Sequence, residues 1–242
     1  MLKDILYPNK GNLFIWINAG YLILLMSIGF VPPITVVFAY FLESIVVGLL
    51  NIVKMTITTL FGRTQKADNH PSIAHFQTIF FAIHYGGFVA IQSIFVFVLF
   101  EMDQTSVITN SLDLMGNYLK VLHFDGMGWV MMSIIAQNVG YFINNFIIKE
   151  KYHQYRAADL MMKPYVRIFV QQFVVIIAAF FVIFYEAGIM AAILLILFRT
   201  CIDLMIVAFK EDARLTDLVA HLIKKDEQDV EEVRQQLQQL TE

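Results

Sequence analysis

Ionisable and amide side chains set inside long apolar runs are the residues best placed to do chemistry in this 242-residue chain. Glu43, His84, Asn138 and Arg199 each fall near the middle of such a run, where an ionisable group costs a few kcal/mol to insert and so calls for a functional explanation. A carboxylate and an imidazole at one depth can relay a proton, act as acid and base, or hold a divalent metal. An arginine beside them suits an anionic ligand or serves as a counter-charge. Asp203, Asn51 and Gln92 complete the candidate binding set. A metal would have Glu43 and His84 as its first ligands, with Asp203 and Gln92 to draw on for the rest. His75 lies about 180° from His84 on an ideal helix, so the two cannot enter one site. No HExxH, P-loop or nucleophile-elbow motif occurs.

The spacing within each run supports a shared site. At 100° per residue Lys54 returns to within about 20° of Glu43, Gln77 to within about 20° of His84, and Asn145 to a place beneath Asn138. Arg167 with Gln171 and Arg199 with Asp203 are i,i+4 pairs on single helix faces. The same residues also fit a purely architectural role. Arg199–Asp203 can be an ion pair that lets both be buried, and amides can simply join helices.

What must position these groups is a set of membrane helices, because backbone inside hydrocarbon has to satisfy its own hydrogen bonds. Six apolar runs are long enough: about 13–30, 34–61, 73–100, 127–148, 164–185 and 188–209. Pro32-Pro33 separates the first two, Gly62-Arg63 ends the second, and Pro71-Ser72 opens the third with Ser72 as a candidate N-cap. The predicted fold is therefore an all-α, polytopic six-helix transmembrane bundle over residues 1–209, followed by a cytoplasmic amphipathic helix over 210–242. At a rise of about 1.5 Å per residue, His84, Asn138 and Arg199 lie on the order of 16 Å from their helix ends. Glu43 lies roughly 13 Å in.

Composition agrees: 58% of residues are hydrophobic and only 15% charged, well short of the usual quarter, and the net charge of −3 excludes a generally basic nucleic-acid binder. One cysteine, Cys201, excludes a disulfide framework. Lys and Arg gather on one side of the predicted topology, leaving only Lys120 on the other, which places both termini in the cytoplasm. The first run is too long for a cleaved signal and is expected to stay as an anchor.

Outside the spans, Leu112 to Phe124 is apolar enough to be a short helix lying in the interface, with Trp129 as an anchor. The tail carries Val219, Ile223, Val230, Val233, Leu237 and Leu240 at heptad-like steps, enough for an amphipathic helix that packs on a second copy or another protein.

The strings Tyr40-Phe-Leu-Glu43-Ser-Ile-Val-Val-Gly48-Leu-Leu-Asn51-Ile-Val-Lys54 and His84-Tyr85-Gly86-Gly87-Phe88, with Arg199-Thr-Cys-Ile-Asp203, resemble an uncharacterised family of polytopic bacterial membrane proteins (DUF6498). The resemblance spans the whole membrane region and implies no activity. In that family's pattern a second histidine often follows His-Tyr-Gly-Gly-Phe where this chain has Gln92, which removes a ligand from any metal site. Two expectations stand side by side: a transporter or membrane enzyme with a buried Glu43–His84–Arg199 site, or an assembly subunit whose polar residues join helices.

Overall fold

The computed structural model describes residues 7–8, 13–63, 71–101 and 107–162, with scattered positions between 164 and 204. Every regular element among the described residues is helical. Helix α1 covers Leu13–Ser27, α2 Pro33–Phe61, α3 Pro71–Glu101, α4 Leu114–Leu122 and α5 Met127–Phe142. A π turn, Ile143–Ile147, continues α5; a 3-10 turn, Lys151–His153, and a short helix α6, Ala157–Met161, follow.

The helices start and stop where backbone chemistry requires. Pro32 is extended and Pro33 opens α2, at a position where the missing N–H would have had no partner. Gly62 closes it, its N–H bonding to Thr58 O at 2.8 Å. Helix α3 begins at Pro71, so Ser72 lies inside the first turn and not at the N-cap expected of it. Asp113 is the cap of α4, accepting from the Gly116 N–H at 3.0 Å.

Two helices, Pro33–Phe61 and Ser72–Val98, are long and apolar enough to cross a membrane. A third crossing counts if α4 and α5 with its π turn form one broken span, bent by 97°. The expected first span contributes α1, at 15 residues a shorter apolar helix. Most of the fifth and sixth expected spans, and all of the tail 210–242, lie outside the described residues.

Helix α2 is the hub, packing on α3, α5, α6 and the 3-10 turn. Its sides divide between two apolar clusters. In the first, Phe38 meets Phe97, Phe100 and Phe124 at ring-centroid distances of 6.2, 4.8 and 5.5 Å, and Phe41 stacks on Tyr118. In the second, Met55, Phe81, Tyr85, Phe146, Leu160 and Ile168 close around the other half of α2. Such ring contacts hold the helices by fit and dispersion, each pair adding about 1 kcal/mol. The change from one cluster to the other falls at Glu43–Ile45, with Ile45 touching both.

The α4–α5 corner is tied to the α1–α2 turn. Thr35 Oγ1 donates to Asp125 O at 3.1 Å, and Phe30 meets Trp129 edge-on. Gly126 takes φ +74°, and a Cβ there would stand 2.6 Å from Val31 Cγ2. Gly126→Ala therefore imposes both a left-handed backbone on an L side chain and a contact with a buried neighbour. We expect a loss of about 2 kcal/mol, read as a lower midpoint of unfolding in detergent. A wild-type midpoint would refute this account of the corner.

Candidate functional site

Glu43 is completely buried, with 0% of its surface exposed, in the middle of α2. Its position follows from helix phase: the face of α2 carrying Ser44 and Gly48 turns to α3, while Glu43 turns to α5. There Asn138 Nδ2 donates to Glu43 Oε1 at 2.8 Å and to its own Ile134 O at 2.9 Å. Five residues earlier on α5, Ser133 Oγ donates to Asn18 Oδ1 of α1 at 2.5 Å. Helix α5 thus carries two separate polar contacts, Asn138 to α2 and Ser133 to α1, about 7.5 Å apart along its axis and about 140° apart around it.

Behind Glu43, Tyr85 of α3 donates its hydroxyl to Ser44 O at 2.7 Å. Its ring lies against Gly48, where a Cβ would stand only 2.2 Å from Tyr85 Cε1. Only a glycine leaves room for the ring, so the packing that seals one side of Glu43 depends on the absence of a side chain.

The remaining candidates separate. Asn51 is buried and donates to Leu160 O at 3.1 Å, clamping α6 against α2. Gln92 is buried on α3, and its Nε2 has no hydrogen-bond partner among the described residues. His84 does not join Glu43: it lies on an exposed flank of α3, its Nδ1 2.6 Å from Tyr165 Oη and its ring stacked on Phe80. Both His84 and His75 are exposed. Arg199, Asp203 and Arg167 lie outside the described residues. The metal reading of Glu43 and His84 fails on this geometry, because the carboxylate is enclosed between α2 and α5 while the imidazole faces outward. No group of three His, Cys, Asp or Glu side chains able to hold an ion occurs among the described residues.

Asn145 is also displaced from its expected place. The π turn, marked by Ile148 N–H bonding to Ile143 O at 2.9 Å, breaks the seven-residue step from Asn138. Asn145 instead accepts from Lys149 at 2.8 Å, and the buried residue is Phe146, with Lys54 Nζ 5.8 Å from its ring centroid. Asn18 and Ser133 form a polar contact between α1 and α5 that sequence reasoning missed. Asn18 was visible as the one amide in the first apolar run, but nothing in the chain told which helix it would meet.

A matching family model covers residues 1–231. The chain belongs to the Family of unknown function (DUF6498). No curated protein and no solved structure matches it. Membership therefore brings no activity to the Glu43–Asn138 pair, and its chemistry has to be argued from its own geometry. A carboxylate that accepts from an amide on a neighbouring helix can exchange a proton, or can exchange that amide for a polar group of a ligand. Its apolar surroundings strengthen either interaction.

Outside the spanning stretch Ser72–Val98, at the end of α3, Glu101 accepts from the Ser111 N–H at 2.9 Å. Ser111's side chain and backbone hydrogen bonds together hold the Glu101 carboxyl below the usual carboxylate range. A depressed folded-state value means the clasp contributes fully above the ordinary glutamate value of about 4.3 and is lost as pH falls through Glu101's own lower value. The Ser111 amide resonance should report this transition, titrating below the ordinary value. Titration at or above it would show that the clasp does not form.

Proposed function

We propose that this protein is a polytopic membrane protein whose working centre is the buried Glu43–Asn138 pair, binding and releasing a proton or a small polar ligand as a transporter or membrane enzyme does. The observation that carries this reading is a carboxylate with no exposed surface, placed mid-helix in an apolar stretch and held by an amide from another helix. Keeping such a group has a cost of a few kcal/mol that an apolar residue would avoid. The wider architecture in this reading is six spans over 1–209 with both termini cytoplasmic, in a bacterial inner membrane. In this reading Arg199 of the sixth span supplies counter-charge to Glu43, with Asp203 as the partner one turn on that holds the arginine, and Gln92 serves the site from α3. The tail 210–242 recruits a second copy or another protein.

A second reading has its own support. Asn51–Leu160, Ser133–Asn18 and Asn138–Glu43 are each contacts between separate elements, as expected of polar groups that only fasten helices in an assembly subunit.

Glu43→Gln separates the two, since an amide keeps the acceptor oxygen for Asn138 and loses the charge. Purified protein would be followed by infrared titration for a carboxyl band, and by thermal shift against a panel of small polar and anionic solutes. A band or a solute-induced shift present in the wild type and absent in a normally folded Glu43→Gln protein supports the site. If neither signal depends on Glu43, and the variant alters only stability or assembly, the fastening role stands and the site reading falls.

A further inference from the structure

Helix α4 carries three distinct faces, and their order around its axis identifies what it touches. Taking Met115 as zero at about 100° per residue, Leu119 and Leu122 fall within about 40° of it. All three are exposed, Met115 to 73%, as is Leu112 just before the cap. Between about 80° and 160° come Gly116, Lys120 and the flanking His123 and Asp113. Between about 200° and 300° come Asn117, Val121, Leu114 and Tyr118. Asn117 and Val121 are buried, and Leu114 and Tyr118 pack on the core. The helix is therefore fixed to the bundle along one face, with an apolar strip on one side of that seam and a polar strip on the other.

This order is what a helix resting on the shoulder of a bundle at a membrane surface requires: one flank turned down to acyl chains, the other up to water. The bend of 97° between α4 and the α5 stretch Met127–Ile147 sets α4 across the direction of the apolar helices. Trp129 and Met132 at the head of α5 and Phe30 at the α1–α2 turn are exposed apolar side chains as well, and Phe30 meets Trp129 edge-on. Trp at that level is the side chain that favours the boundary between headgroups and hydrocarbon.

We propose that α4 is a lipid-embedded foot, with Leu112, Met115, Leu119 and Leu122 inserted among the outer-leaflet acyl chains just below the headgroups. The contact is apolar and does not select anionic headgroups. Lys120, the one cation of α4, turns its Nζ to Val107 O and Thr109 Oγ1 at 3.3 and 3.5 Å, and the acidic side chains among the described residues 101–126 are Glu101, Asp113 and Asp125. The foot fixes the height of the bundle in the bilayer, and through the α4–α5 corner it sets the depth at which Asn138 meets Glu43. The inference is independent of what the Glu43–Asn138 pair binds.

The test uses the full chain with the exposed Cys201 changed to Ser. Single cysteines are placed by Met115→Cys, Leu119→Cys and His123→Cys and carry an environment-sensitive fluorophore. The labelled proteins are reconstituted in phosphatidylcholine vesicles, with and without phosphatidylglycerol. Labels at 115 and 119 should emit blue-shifted light, be quenched by lipids spin-labelled high on the acyl chain, and resist aqueous iodide. The label at 123 should be quenched by iodide, and none should respond to phosphatidylglycerol. Iodide quenching at 115 and 119 equal to that at 123 would overturn the proposal. So would shielding of 115 and 119 from both quenchers, which would place another protein surface over the strip.

Discussion

Replacing Gly48 by Val should unfold this protein at markedly lower temperature, by an amount equivalent to about 3 kcal/mol. A Cβ at this position meets the Tyr85 ring at 2.2 Å, and the ring cannot simply swing away. Tyr85 is buried, its centroid lies 4.9 Å from Phe81 and 5.7 Å from Tyr165, and its hydroxyl is engaged with Ser44 O. Either α2 and α3 separate or the ring leaves, abandoning both a hydrogen bond and a packed aromatic cluster. Combining Gly48→Val with Tyr85→Ala should recover part of the loss, because the added methyl groups then occupy the space the ring vacates. Thermal unfolding of the two singles and the double in detergent measures this coupling. Strict additivity would show that the two residues do not share one site of contact.

Asn138→Leu is the second large effect, with an expected loss of about 3 kcal/mol. The leucine fills similar space but removes the donor that meets Glu43 Oε1 at 2.8 Å, leaving a fully buried carboxylate short of a hydrogen bond. The cost comes from the group left behind, so it should shrink when Glu43 is also neutralised. Asn138→Leu in a Glu43→Leu background should cost well under half as much as in the wild type. Chemical unfolding of the four proteins closes the cycle, and equal costs in both backgrounds would mean that the Asn138–Glu43 bond contributes nothing to stability.

Among the described residues, the bounds of α2 and α3 were legible because the signals are local. The Pro32-Pro33 break, Gly62 and Pro71 bound α2 and α3 almost where the sequence puts them, and Leu112 to Phe124 does contain a helix, α4. Position along each helix was legible too, since it needs only a rise per residue. Which polar groups meet was not. The rise per residue gives Glu43 and His84 similar depths on neighbouring helices, yet α2 turns Glu43 towards α5 while α3 turns His84 to an exposed flank. Depth is one coordinate, and the rotation of each helix about its axis is another that no single run encodes. That rotation is set by fits such as Tyr85 against Gly48, between residues 37 positions apart. The expectation for Asn145 failed for a different reason. It assumed an unbroken helix of 3.6 residues per turn, and Ile143–Ile147 departs from it.

That π turn works as a phase shifter. Above it, α5 presents Asn138 to the carboxylate of α2; below it, the same helix presents Phe146 to Lys54. A π turn holds one residue more than the α turn it replaces, so the two stretches are offset by about 100° from the alignment an uninterrupted helix would give them. Deleting a single residue there would leave the helix continuous and its composition nearly unchanged, yet the amide and the aromatic ring could no longer both face α2. Two contacts more than a helical turn apart are thus geared to each other through one surplus peptide.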